Sequence, residues 1–212
     1  MFLDDERLKQ GKSWGKDYFD ELLARIREIR ASERRFYQKI TDIYAQCSVD
    51  YKDSSGLTRS FYAEVQNKLH WAVSGKTAAE IIKDRADSNK PNMGLKTWKQ
   101  APKGKILKKD VSIAKYYLEK NEIHELERIV SMYLDFAENQ AARQKVMTMQ
   151  DWSTKLDSFL SFNEYDLLND AGKVKAAIAK KLAEGEFEKF RVVQDINYES
   201  DFDKLIKATK NK

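Results

Sequence analysis

The sequence has few of the residues that interrupt regular structure or cross-link a chain. Two prolines and eight glycines among 212 residues are too few for a collagen-like or low-complexity chain. They are also too few for a β-sandwich, which needs a turn about every ten residues. The single cysteine, Cys47, excludes an internal disulfide and fits a reducing cytoplasm. No apolar run reaches the roughly 18 residues that suggest a membrane span. These absences predict a cytoplasmic protein without a membrane segment.

Helical periodicity is what the sequence has instead, and it predicts an all-α helical bundle. Residues 17–46 contain no proline or glycine, and their apolar residues recur at spacings of three, four and seven. We therefore expect one long N-terminal helix of about 45 Å over 17–46. A helix of this length suggests a homodimer formed through it, or an oligomerisation scaffold. The apolar positions are Leu22, Ile26, Ile29, Phe36, Ile40 and Ile43.

The domain organisation predicted from these patterns is simple. Residues 1–16 form a lead, 17–206 a single helical domain, and 207–212 a frayed charged tail. Thr77, followed three residues later by a glutamate, has the form of a capping box and predicts a helix start. Thr148 predicts another helix start, because threonine is a favoured N-cap residue.

Residues 88–109, here called the basic insert, concentrate the positive charge of the chain. This segment holds both prolines, seven lysines and no acid, whereas the whole chain has a net charge of only +5. The rest of the chain is therefore slightly acidic. Proline removes a backbone donor and blocks the preceding turn, so the basic insert is predicted to be a loop within the bundle.

A local positive field of this kind favours a nucleic-acid partner, because each lysine–phosphate contact releases counterions. Trp98 lies among the lysines and is predicted to stack on a base. Two alternatives stay open: a solvated loop with Trp98 inserted into the core, and an acidic protein partner. The predicted contacts are Lys96, Trp98, Lys99, Lys103, Lys105, Lys108 and Lys109, extended by Arg34 and Arg35.

An enzyme is the main rival hypothesis. His70 and Asn67 lie on the polar side of an amphipathic helix, and with Glu80 and Arg85 they suggest a nuclease-like hydrolase or toxin-type effector. A histidine hydrogen-bonded at a helix contact explains the same pattern. Residues 75–77 match the end of a P-loop, but its first glycine is replaced by His70. No cofactor or metal is predicted.

Short segments that follow one another along the chain are 4–11 (DDERLKQG), 18–23 (YFDELL), 25–44, 65–72 (VQNKLHWA), 75–82 (GKTAAEII), 90–95 (KPNMGL) with Thr97 and Trp98, 147–152 (MTMQDW) and 162–165 (FNEY). In this order they resemble the virulence protein RhuM family of bacteria, which is associated with genomic islands, prophages and restriction loci. The resemblance covers nearly the whole chain from residue 4 to about 206. Members are usually longer at the N-terminus, where a part resembling a helix-turn-helix DNA-binding module precedes the first segment. The resemblance thus implies the C-terminal helical region of the family, without catalytic residues to carry over.

Overall fold

The structure, a computed structural model, describes residues 16–31, 36–51 and 56–197, and within these ranges it is helical without any strand. The predicted all-α class is confirmed. Two 3₁₀ turns, Pro91–Gly94 and Ala114–Tyr117, complete the regular structure described. The seven α-helices of these ranges are α1 (Lys16–Ala31), α2 (Phe36–Cys47), α3 (Gly56–Ser74), α4 (Ala78–Arg85), α5 (Lys120–Ala142), α6 (Met149–Phe162) and α7 (Ala176–Asn197).

The chain divides into two compact units, each built from two separate stretches. Unit 1 takes the described residues of Met1–Gly75 and Lys120–Ala171, and so holds α1, α2, α3, α5 and α6. Unit 2 takes the described residues of Lys76–Glu119 and Gly172–Lys212, and so holds α4 and α7. The single helical domain over 17–206 stays a prediction.

In unit 1, the prediction of one long N-terminal helix is wrong, because α1 and α2 form an antiparallel hairpin. The guanidinium of Arg25 donates to the carbonyl of Gln46 at 3.4 Å. The ammonium of Lys39 donates to the carbonyl of Arg30 at 2.7 Å. In a straight helix the first pair would lie about 30 Å apart. Residues 17–46 contain no proline or glycine, so the sequence pattern carries no signal for this reversal of chain direction.

The apolar stripe predicted for the long helix is buried all the same, since both halves of the hairpin turn it inward. Pairing the two helices lets both stripes leave water within one unit, which favours the hairpin over a protruding arm. A homodimer through this stripe stays a prediction, and the stripe is already covered within unit 1. The stripe residues that are at most 4 % exposed are Leu22, Ile26, Ile29, Ile40 and Ile43.

Helix α5 is the element of unit 1 against which α1, α2 and α3 all pack. Arg30 of α1 pairs with two acids of α5, Asp135 at 2.6 Å and Glu138 at 2.7 Å. The hydroxyl of Tyr133 in α5 donates to the carbonyl of Trp152 in α6 at 2.8 Å, and both side chains are fully buried. These contacts fix α1 and α6 on the same central helix.

A nearly buried cation joins α3 to α6. The ammonium of Lys68 lies 2.9 Å from a carboxylate oxygen of Glu64 and 2.8 Å from one of Asp157. Burial alone would lower the pKa of Lys68, but the hydrogen bonds to Asp157 and Glu64 outweigh it and raise the pKa. Lys68 therefore stays charged, because a buried charge is tolerated when it is paired.

In unit 2, the predicted capping box at the start of α4 is confirmed. The Thr77 side chain accepts from the amide of Glu80, and a Glu80 carboxylate oxygen accepts from the Thr77 amide at 2.8 Å. The other Glu80 oxygen accepts from the Lys173 amide at 2.7 Å, which ties the chain before α7 to α4. At the other end of α4, Arg85 donates to the carbonyl of Tyr117 at 2.8 Å.

The first 3₁₀ turn of unit 2 is left-handed. Its residues Asn92, Met93 and Gly94 have φ values of 52°, 61° and 81°. Met93 is fully buried, so burial of its side chain offsets the strain of this conformation. A Cβ added at Gly94 would lie 2.2 Å from the backbone oxygen of Arg85. Only glycine fits this close approach to the end of α4.

Replacement of Gly94 by alanine is expected to lower the free energy of unfolding by more than about 2 kcal/mol, because strain at positive φ adds to a backbone clash. The matched control is Gly185→Ala in α7, where a new Cβ meets no atom within 4 Å. That control should raise stability by about 0.5–1 kcal/mol, since alanine is the better helix former. Urea unfolding of both variants measures this, and equal stability of Gly94→Ala and wild type would contradict the argument.

Candidate nucleic-acid interface

The basic insert (residues 88–109) is a packed part of unit 2 and is held on α7 by side-chain hydrogen bonds. The amide of Ile106 donates to the Gln194 side-chain oxygen at 2.8 Å, and the Gln194 side-chain nitrogen donates back to the Ile106 carbonyl at 3.1 Å. Met93, Leu95 and Ile106 are at most 2 % exposed. Three buried apolar side chains and a paired backbone distinguish the insert from a solvated loop.

The start of the basic insert is fixed to α7 as well. The amide of Ser88 donates to a carboxylate oxygen of Glu186 at 2.8 Å. The Lys189 ammonium donates to the other Glu186 oxygen at 2.7 Å. The hydrogen bond from Lys189, followed by those from Ser88, lowers the pKa of Glu186 from 4.5 to about 2. Glu186 is therefore a charged anchor for the first residue of the insert.

Four of the seven lysines of the basic insert are paired with acids. Lys96 lies 2.8 Å from a carboxylate oxygen of Glu119, and Lys105 lies 2.7 Å from one of Asp195. Lys108 pairs with two acids of α7: its ammonium lies 3.2 Å from a carboxylate oxygen of Glu188 and 3.9 Å from one of Glu184. The fourth pair is Lys90 with Asp87 at 3.8 Å. These acids reduce the local positive field that the insert alone would produce.

Lys99, Lys103 and Lys109 form no ion pair with any residue in the part of the chain that the structure describes, and all three are exposed. Lys99 and Lys103 lie on one compact turn between residues 98 and 104. In that turn the amide of Ala101 donates to the Trp98 carbonyl at 3.1 Å, and the Gly104 amide donates to the Gln100 carbonyl at 2.8 Å. The unneutralised charge of the insert is thus concentrated on fewer lysines than the sequence predicts.

Trp98 is partly buried and its indole nitrogen donates to the Gly104 carbonyl at 2.7 Å. The ring is therefore held in one orientation by the turn that carries Lys99 and Lys103. It is neither inserted in the core nor freely rotating on the surface. A polar atom fixed in this way leaves the faces of the indole ring as its contact surface.

A groove of about 260 Å³ lies between the basic insert and α7. Trp98 and Pro102 from the insert and Phe190 and Val193 from α7 contribute its apolar wall, and Ile106 lies at its base. Val193 is 56 % exposed, although it is a large apolar side chain. The remaining lining residues are Asn92, Gly104, Lys105, Gln194 and Asn197.

The four residues predicted as a catalytic set belong to different units. His70 is fully buried in α3 of unit 1, where its carbonyl accepts from the Ser74 hydroxyl at 2.8 Å, and Asn67 lies in the same helix. Glu80 and Arg85 belong to α4 of unit 2, where each contacts backbone groups as described above. Their catalytic role stays a prediction, and none of these contacts adds support to it.

Arg34 and Arg35 lie outside the described residues, as do the lead up to residue 15 and the tail 207–212. Among the residues the structure describes, no three His, Cys, Asp or Glu side chains are gathered where they could hold a metal ion. Within the same ranges, no helix combines the length and the apolar character needed to cross a membrane.

Sequence reasoning missed the contribution of α7 to this interface. Glu184 and Glu188 are one helical turn apart, and the acids of α7 lie 76 to 90 positions beyond the lysines they meet. Phe190 and Gln194 share another face of the same helix at the same spacing. The i,i+4 spacing of each pair was visible in the sequence, but the partner of each face was not.

The comparisons with known proteins give one match. The family model described as Virulence protein RhuM family matches residues 1–199 of the chain. No curated protein and no solved structure matches the chain.

The Glu186 anchor predicts a specific loss of stability in acid. Because the folded-state pKa is near 2 and the ordinary value is 4.5, the unfolded chain binds more protons as the pH falls from about 5 to 2. Stability from this group is therefore present above about pH 5 and is lost through that window. In Glu186→Gln this part of the acid-induced loss of stability should vanish. In Lys189→Gln the loss should be smaller than in wild type and larger than in Glu186→Gln. Thermal unfolding between pH 6 and pH 2.5 measures the slopes, and a wild-type slope in Glu186→Gln would refute the anchor.

Proposed function

The chain belongs to the virulence protein RhuM family, and we propose that it acts as a nucleic-acid-binding module through its basic insert. Lys99, Lys103 and Lys109 would contact phosphates. The observation that carries this proposal is that these three exposed lysines form no ion pair with any described residue, while the neighbouring lysines do.

Electrostatics supports phosphate as the partner of these lysines. An exposed ammonium that is not engaged in an ion pair attracts an anion without first giving up another contact. A polyanion supplies several phosphates in a row, and each contact releases condensed counterions. Exposed ion pairs contribute only about 0–1 kcal/mol, so Lys96, Lys105 and Lys108 could exchange their acids for phosphates at small cost. The three unneutralised lysines would thus provide the main attraction and the paired ones a secondary one.

The packing of the insert supports the proposal in a second way. A flexible loop loses conformational freedom when it binds, and this loss weakens binding. The basic insert is already ordered by Gln194, Glu186 and the buried Met93, Leu95 and Ile106. The backbone that carries the lysines would therefore not have to fold on binding.

A charge-neutralised variant provides the test. Lys99→Gln, Lys103→Gln and Lys109→Gln combined should weaken binding to an oligonucleotide and reduce its salt dependence. If each lysine meets one phosphate, the slope of log K against log salt should fall by roughly 2 to 3. The measurement is fluorescence anisotropy of a labelled strand titrated at several salt concentrations.

The control removes the same charge elsewhere. Lys145, Lys155 and Lys175 lie outside the basic insert and α7, are exposed, and have no ion pair with another described residue. Their combined replacement by glutamine lowers the net charge equally, so it should leave most of the slope intact. If both triple variants lost the same amount of binding, binding would depend on the overall charge of the protein rather than on the basic insert. Absence of binding at low salt would overturn the proposal, and binding of an acidic peptide instead would assign the insert to a protein partner.

A further inference from the structure

We infer that the groove between the basic insert and α7 receives an unpaired nucleobase, so that the nucleic acid bound is single-stranded. This inference rests on the proposed function and extends it from charge to the kind of strand. It combines three features of the groove: aromatic walls, polar groups that remain available, and cations beside the walls.

The walls suit a flat aromatic ligand. Trp98 enters from the insert and Phe190 from α7, so two aromatic rings from different elements line one groove. Its volume of about 260 Å³ lies below the roughly 300–1,000 Å³ typical of sites for drug-sized ligands. A single ring system of the size of a base fits this space. Bases stack on aromatic side chains whatever their identity, because every base has a π-face.

The groove is ordered before any ligand arrives. The Trp98 nitrogen is bound to Gly104, and both polar atoms of the Gln194 side chain are bound to Ile106. These hydrogen bonds hold the walls in place, and the single N–H of Trp98 is not available to a ligand. Rigid walls reduce the entropy that is lost on binding.

Two amides at the groove remain available for hydrogen bonds. The side chains of Asn92 and Asn197 are exposed, line the groove and form no hydrogen bond with any other described residue. Side-chain amides offer both a donor and an acceptor, which matches the exposed edge of an unpaired base. In a duplex this edge and both faces of the base are occupied, so only a single strand presents them.

Charge beside the walls explains why a strand is favoured over another apolar ligand. Lys99 directly follows Trp98 and Lys103 directly follows Pro102, so both exposed cations adjoin residues that line the groove. A base in the groove would carry its phosphates toward these lysines. Alternating aromatic and cationic contacts are typical of proteins that bind single strands.

The test separates stacking from charge. Phe190→Leu keeps an apolar side chain on α7 and removes the ring. It should weaken single-strand binding by about five- to 150-fold, the range expected for the loss of one stacked base. Duplex binding and the salt slope should be unchanged. The control is Phe162→Leu in unit 1, which removes a ring that is 87 % exposed and remote in sequence from the groove.

A second measurement changes the strand and leaves the protein intact. A strand whose bases are all replaced by abasic sites loses contact with both Trp98 and Phe190, so it should bind wild type at least as weakly as the normal strand binds Phe190→Leu. With the abasic strand, Phe190→Leu should cause no further loss. Thermal unfolding checks that Phe190→Leu is folded.

The outcomes distinguish this inference from the proposed function. Equal binding of single strands and duplexes, with no effect of Phe190→Leu or of abasic sites, would overturn the groove assignment and leave the lysine interface standing. No salt-dependent binding to either form would overturn both. Binding of an acidic peptide that is sensitive to Phe190→Leu, without strand binding, would also overturn both and assign the groove to a protein.

Discussion

The paired hydrogen bonds between Gln194 and the backbone of Ile106 are the contact on which the candidate interface depends. The amide and the carbonyl of Ile106 are both hydrogen-bonded to the side-chain amide of Gln194, as they would be to the backbone of a neighbouring strand in a β-sheet. A segment with two prolines cannot satisfy its backbone groups within a helix of its own, so it needs partners from elsewhere. Gln194 supplies them, and in doing so it places the basic insert along α7. The aromatic groove and the lysine–acid pairs both follow from that placement.

The acids of α7 divide the lysines of the basic insert into two groups. Lys105 and Lys108 meet Asp195, Glu184 and Glu188, and these pairs help to hold the insert in place. Lys99 and Lys103 project from the turn without acids of this kind among the described residues. The same residue type therefore serves two purposes within one segment. Net charge does not reveal this division, because it counts every lysine equally.

Local features were predictable from the sequence and distant ones were not. Thr148 starts α6 as expected, because a capping box involves only residues three apart, here with Asp151. The inward faces of α1 and α2 were predictable from periodicity, but the reversal of chain direction from α1 to α2 was not, since no proline or glycine lies between them. At the candidate site, the lysines and Trp98 were identified from composition. Their acidic partners on α7 were not, because pairing across 76 to 90 positions is decided by packing.

The interleaving of the two units has a consequence for how the protein is made. The last stretch of unit 1 ends at residue 171, whereas unit 2 includes α7, which begins at Ala176. Chains emerge from the ribosome with the N-terminus first. The helices of unit 1 can therefore assemble while the basic insert is already outside the ribosome but α7 is still inside its exit tunnel. Until Gln194 and Asp195 emerge, the insert has neither its backbone partner nor the acid that receives Lys105, and a nascent chain at this stage carries its positive charge uncompensated by α7.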